Sequence, residues 1–223
     1  MRWLVALLVC GCGRVGFDSA GGIDGNPGPG GDVSGETTGS PCAPMLPVVD
    51  DFADGVTPCM PWGTMFESNG GQVRESGGRL ILDLPAAATM TSGASCSGDT
   101  LLDLAQHMLV LEVVDAPIGL FVQLRASRMA GTEWVMQSAN GRLIFHDGSN
   151  ELASASYDRT AHRWWRLRAT GLETIAEVAP DGITWTELGR TAQVDPSVTV
   201  SIDALAFAGF GKPVVLDNLN ICP

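Results

Sequence analysis

Between Cys42 and Pro223 the chain has no run of apolar residues at helical spacing long enough to make an amphipathic helix. Short stretches rich in Val, Ile, Leu, Thr and Trp are instead broken by Gly, Asp, Asn and Pro. That alternation is the mark of strands joined by turns. Strands are expected at Val48 to Phe52, Gln72 to Glu75, Arg79 to Leu84, Met108 to Val114, Leu120 to Ala126, Glu133 to Gln137 and Arg142 to His146. Further ones are expected at Glu151 to Ser156, Trp164 to Ala169, Glu173 to Val178, Thr184 to Leu188, Ala204 to Ala208 and Val214 to Ile221. This density of strands fits an all-β domain, 42–223, folded as a two-sheet antiparallel sandwich. The 45% hydrophobic content is enough to fill one core.

Two adjacent hairpins give the sharpest local expectation. A Thr170-Gly171 turn would join Trp165–Ala169 to Leu172–Ala176 and set Arg168 opposite Glu173, while an Asp181-Gly182 turn would set Trp185 against Val178. Trp165, Leu167, Val178 and Trp185 should then face the core, with Arg166, Arg168, Glu173 and Glu177 in solvent.

The run Asp50-Asp51-Phe52-Ala53-Asp54-Gly55 with Trp62 downstream, followed by Gly77-Gly78-Arg79-Leu80-Ile81-Leu82, resembles the start of bacterial concanavalin A-like (laminin G-like) jelly-roll domains. The segments His162–Arg168, Ala179–Trp185 and Leu216–Leu219 extend the likeness over most of residues 42–223. These motifs are turns and core tryptophans, so the resemblance implies a fold and transfers no activity. The Asp181–Trp185 stretch is also close to the Asp-box of sialidase-type propellers, but that box has a residue between Asp and Gly and recurs along the chain. Here there is one contracted copy.

The N-terminus carries an address. Met1-Arg2 precedes the apolar run Trp3 to Val9, too short to span a bilayer and suited to a signal peptide, 1–11. Val9-Cys10-Gly11-Cys12 then resembles the lipobox of bacterial lipoproteins, which implies cleavage before Cys12 and a lipid on its thiol. Residues 12–41 read as a tether of Gly, Asp, Ser, Thr and Pro with a reach of about 30 Å. Two decoys fall in this region. Gly11 to Gly16 fits G-x-G-x-x-G, but no helix can begin after it to receive a pyrophosphate. The three-residue glycine period from Gly22 to Gly31 is too brief for a collagen helix. The expected product is an exported protein, lipid-anchored in the cell envelope at the outer membrane or cell surface, with the membrane as a partner through Cys12.

An exported domain with Cys42, Cys59, Cys96 and Cys222 is expected to form disulfides, and four cysteines allow three pairings. In the jelly roll that the chain resembles, first and last strands are neighbours, which implies Cys42 with Cys222 and Cys59 with Cys96.

The 25 acidic and 13 basic residues, net charge −12, argue against nucleic acid as a partner, since counterion release needs a clustered cationic surface. Glucanases of the similar fold place their carboxylates at alternate positions of one strand. Glu112 with Asp115 has the wrong parity, and Glu173 with Glu177 has Arg166 and Arg168 alongside, so both pairs read as solvated strand charges. His107, His146 and His162 are isolated. The domain is therefore expected to be a noncatalytic binding module without a cofactor, with a glycan as its candidate ligand; an envelope structural or assembly protein and a glycosidase-related domain are the alternatives. Exposed aromatic faces hold sugars, and Trp134 and Tyr157 are the aromatic residues near expected loop ends. A structural calcium ion would find oxygen ligands at Asp217 or at Asp50 and Asp51, although plain structural roles account for these residues as well.

Overall fold

The computed structural model describes residues 48–50, 52, 57–60, 62–86, 89–129, 131–192 and 195–222, all within one unit, Thr38–Pro223. Cys12, Cys42 and Asp51 lie outside the described residues, as do the side chains of Asp50 and Cys222, the expected signal peptide, 1–11, and the expected tether, 12–41. The described elements are all strands: β1 (Val48–Asp50), β2 (Gly63–Ser68), β3 (Gln72–Glu75), β4 (Leu80–Asp83), β5 (Ser92–Gly98), β6 (Leu102–Asp103), β7 (Met108–Asp115) and β8 (Phe121–Arg128). They continue with β9 (Glu133–Ala139), β10 (Arg142–Asp147), β11 (Asn150–Ser156), β12 (Trp164–Thr170), β13 (Glu173–Ala179), β14 (Thr186–Ala192), β15 (Ser197–Ala206) and β16 (Val214–Cys222).

They form two antiparallel sheets. One runs β14-β13-β12-β7-β16-β4-β3 with β1 on β16, and the other runs β11-β10-β9-β8-β15-β5-β2 with β6 on β15. The jelly-roll expectation holds. Alternation along each strand sends one set of side chains between the sheets. Leu109, Leu111, Trp165, Leu167, Ala176, Val178 and Leu216 meet Val122, Leu124, Trp134, Met136, Phe145, Ile202 and Ala204 in a single core. The Cys59–Cys96 disulfide, with Cα atoms 5.5 Å apart, is among these buried residues and ties the segment before β2 to β5.

In the double hairpin Trp165, Leu167 and Val178 keep their expected inward face, but the turns shift and the inward placement of Trp185 is corrected. Trp165 pairs with Val178 and Arg166 with Glu177, but the first turn is Gly171-Leu172, with Thr170 opposite Glu173. Gly171 has φ 60° at the first central position, which a type II′ turn reserves for glycine. In the second hairpin Val178 pairs with Thr186, so residues 180–185 form a wider loop. The Asp181 carboxylate shapes it by accepting the N–H groups of Ile183 and Thr184 at 2.9 and 2.7 Å. Trp185 is thereby carried out of the core. It packs on the outer face against a small cluster of Val110, Trp164 and Ala179, with the Arg166 guanidinium 4.0 Å above its ring.

The expected solvated charges also need correction. Glu177 is buried and takes Arg166 and Arg168 at 2.7 Å each, while Glu173 pairs with Arg190 at 2.8 Å and not with Arg168. Glu112 is buried too, accepting Arg163 Nε at 2.6 Å and Asn218 Nδ2 at 2.7 Å. Asp115 pairs with Arg159 at 2.9 Å.

Candidate functional site

The two expected aromatic ligand residues do not make a platform. Trp134 is fully buried, with the Arg128 guanidinium stacked 4.5 Å from its ring and ion-paired to Asp147. A face enclosed in this way offers nothing to a sugar, so the assignment of Trp134 is corrected. Tyr157 is half-buried, its ring edge-on to Trp165 at 6.5 Å and tilted over His162 at 6.0 Å. Burial pushes its hydroxyl up to about 12. The two residues are also separated along β10, since Trp134 lies opposite Asp147 while the Tyr157 N–H bonds the Gly141 carbonyl at the other end.

Asp217, the described member of the expected calcium set, accepts the Asn218 N–H at 2.8 Å and lies 3.8 Å from Arg79. Strand pairing sets the Asp50 backbone opposite Leu219, close by in β16. Among the described residues no group of three His, Cys, Asp or Glu side chains is placed to hold a metal ion.

The outer face of the second sheet carries a different constellation. Register places Phe66, Ser95, Asp203, Gln123 and Gln137 in one row across β2, β5, β15, β8 and β9. On β5 the outward residues Gly93 and Ser95 are small, and taller neighbours stand on both sides: Phe66 and Ser68 on β2, Asp203 and Leu205 on β15 with Arg125 behind. The result is a trough of about 220 Å³. Its width depends on Gly93, where a Cβ would come within 2.9 Å of Leu205 Cδ2 and 3.0 Å of Ser68 Oγ. The Phe66 ring is 65% exposed, and Leu205 is exposed beside it.

Polar groups meet this apolar wall at Asp203. Ser201 Oγ donates to its carboxylate at 3.2 Å, and Arg125 Nε lies 3.4 Å from the same oxygen. Arg125 also donates to Glu133 at 3.2 Å and to Gln123 Oε1 at 2.6 Å, and Gln123 in turn donates to Gln137. Burial pushes the Asp203 carboxyl above its ordinary value, opposed by the Arg125 charge and by hydroxyl hydrogen bonds from Ser201 and Ser95. One guanidinium thus bridges two carboxyl groups from different strands, beside an exposed phenyl ring. Such a surface can stack an apolar sugar face and exchange hydrogen bonds with hydroxyls. It also supplies two carboxyl groups to one face, a requirement of glycoside hydrolysis.

Fold and trough together define a jelly-roll sandwich with an amphipathic depression on one sheet. No protein-family model matches the chain and no curated protein sequence matches it. Solved structures do. A laminarinase from Flavobacterium sp. superposes with a TM-score of 0.59 at 7% identity, covering 78% of this chain and 98% of its own. Bacillus licheniformis β-glucanase gives 0.54 at 10% identity, covering 78% and 96%, and a legume lectin-like domain from Entamoeba histolytica gives 0.52 at 12% identity, covering 80% and 98%. At these identities the likeness establishes the fold, which is shared by lectin-like domains and glycosyl hydrolases. The expectation of a noncatalytic domain is therefore corrected. Glucanases are among the proteins with this architecture, and two carboxyl groups on one sheet face here come from different strands, Glu133 of β9 and Asp203 of β15.

Proposed function

We propose that this is an exported carbohydrate-engaging domain, held at an envelope membrane by a lipid on Cys12, with its glycan seated in the trough between β2 and β15. The observation that carries the glycan reading is the exposed Phe66 ring set beside the Arg125-bridged Asp203 on one sheet face. Phe66 supplies the stacking surface, while Asp203, Arg125, Gln123 and Gln137 supply hydroxyl partners. The test is a glycan array probed with the purified protein, with and without calcium, followed by titration of the hits. Phe66→Ala should weaken binding at least about fivefold, and Asp203→Ala should weaken it further. Absence of any hit, or hits indifferent to both substitutions, refutes the trough. The anchor rests on the Val9–Cys12 pattern; a clickable fatty acid should label the wild type and not Cys12→Ala, which should leave the membrane fraction.

A second reading is hydrolysis, favoured by a half-buried carboxyl whose pKa is raised by desolvation, with a second carboxyl group across Arg125. Asp203 would then be the proton donor and Glu133 the partner. Release of reducing ends from β-glucans, lost in Asp203→Asn, supports it; no release from any glycan bound on the array refutes it.

A further inference from the structure

A second surface lies at the end of the sandwich where β4, β7 and β15 hand over to β5, β8 and β16. The connections are residues 84–91, 116–120 and 207–213. They adjoin one another: Gly211 packs so closely on the Ala86 backbone that a Cβ would fall 2.0 Å from its nitrogen, and a Cβ on Gly119 would meet the Phe210 ring at 3.5 Å. Four large apolar side chains stand out from them, Met90 at 64% exposure, Ile118 at 69%, Phe207 at 53% and Phe210 at 61%. Phe207 rests edge-on against Phe121, with ring centroids 5.2 Å apart, so the projecting groups have a packed base.

Three of the connections at this end differ in charge from their neighbours, 157–163 and 180–185, which bring Asp158 and Asp181 to the same end. The chain has 25 acidic residues, yet none falls within these three segments, and Lys212, its only lysine, does. The acids at their borders are engaged elsewhere, Asp83 with Arg74 at 3.6 Å and Asp115 with Arg159 at 2.9 Å. Grouped, exposed apolar side chains mark a surface meant for another phase or partner.

We propose that this loop end docks on the surface of a lipid bilayer, with Ile118, Phe207 and Phe210 entering the acyl boundary and Lys212 meeting anionic headgroups. The charge distribution selects this occupant. A body with net charge −12 is repelled by an anionic membrane and by a second copy of itself, whereas these three segments join a lysine to an apolar cluster and carry no carboxylate, with Asp158 and Asp181 on the connections to their side. The contact is made by the fold and does not depend on a lipid at Cys12.

The test uses the full chain carrying Cys12→Ala and vesicles of phosphatidylcholine with or without phosphatidylglycerol. Co-sedimentation with the mixed vesicles should fall at least about tenfold when Ile118, Phe207 and Phe210 are changed to Ser, because each loses its buried apolar area. Lys212→Ala should weaken binding about fivefold on phosphatidylglycerol and leave phosphatidylcholine binding unchanged. The near-UV circular dichroism of each variant reports that the sandwich is intact. In a Phe210→Trp protein, the emission added by the new indole should be quenched by lipids with brominated acyl chains. Undiminished binding by the triple Ser variant, or added emission that brominated lipids leave unquenched, overturns the proposal. So does self-association that the triple substitution abolishes in a chain that never binds vesicles, which would assign the end to a second copy.

Discussion

Glu173 and Glu177 share one face of β13, four residues apart, yet they should respond in opposite ways to truncation. Glu177 is 8% exposed and holds Arg166 and Arg168, themselves 15% and 27% exposed, at 2.7 Å. Glu177→Ala leaves two poorly hydrated guanidinium groups facing each other. Breaking a buried pair typically costs ~3 to 5 kcal/mol, and the partial exposure of the arginines lowers this to about 2 to 4 kcal/mol. Glu173 and its partner Arg190 are both largely in water, so Glu173→Ala should leave stability unchanged within error. Urea unfolding followed by tryptophan fluorescence measures both, provided the slope is constant across the set. Adding Arg168→Gln to Glu177→Ala should recover part of the loss, since it removes one unpaired charge. Equal effects at the two glutamates would refute this account of the outer face.

Trp165→Ala should cost ~3 to 5 kcal/mol as a core truncation, while Trp185→Ala, on the half-buried outer cluster, should cost about 1 to 2 kcal/mol; the same titrations compare them. Removing the Cys59–Cys96 link, which spans 37 residues, should cost about 4 kcal/mol by the loop-entropy estimate, read from the urea midpoint of Cys59→Ala/Cys96→Ala. The raised Asp203 carboxyl binds its proton more readily in the folded state, so its contribution favours folding at low pH and is lost as pH rises through the folded value. Asp203→Asn should therefore compare less favourably with the wild type at pH 4 than at pH 7, and the reverse trend in unfolding midpoints would refute the shift.

The parts of this fold that were legible in the sequence are those where one face is apolar and the other is not. Trp165, Leu167 and Val178 against Arg166, Arg168 and Glu177 follow from alternation alone. Turn register did not, because it hinges on which central position a glycine takes and on a side chain, that of Asp181, capping two N–H groups. The trough was hidden for a related reason. Strands β2 and β5 were missing from the expected set, since Ser92-Gly-Ala-Ser-Cys-Ser-Gly98 has the composition of a loop. Those small residues fit a strand because Ile202, Ala204 and Cys96 fill the core beneath them, leaving the outer side open. The Asp203–Arg125–Glu133 cluster joins the neighbouring strands β8 and β9 to β15, some seventy residues further on, and local spacing does not connect the two. Phe66 stands on β2 and was hidden with that strand.

The position of the Cys59–Cys96 disulfide makes the behaviour of one sheet edge depend on redox conditions. Among the described strands β2 is the end of its sheet and pairs only with β5, and the disulfide fastens the chain entering β2 to β5 itself. In a reducing compartment that fastening is lost. If β2 then frays, β5 becomes the edge, a row of free N–H and C=O groups flanked by glycine and serine, with no lysine or proline to discourage pairing with another molecule. Chains kept under reducing conditions should therefore tend to associate through β5, whereas formation of the disulfide closes that route.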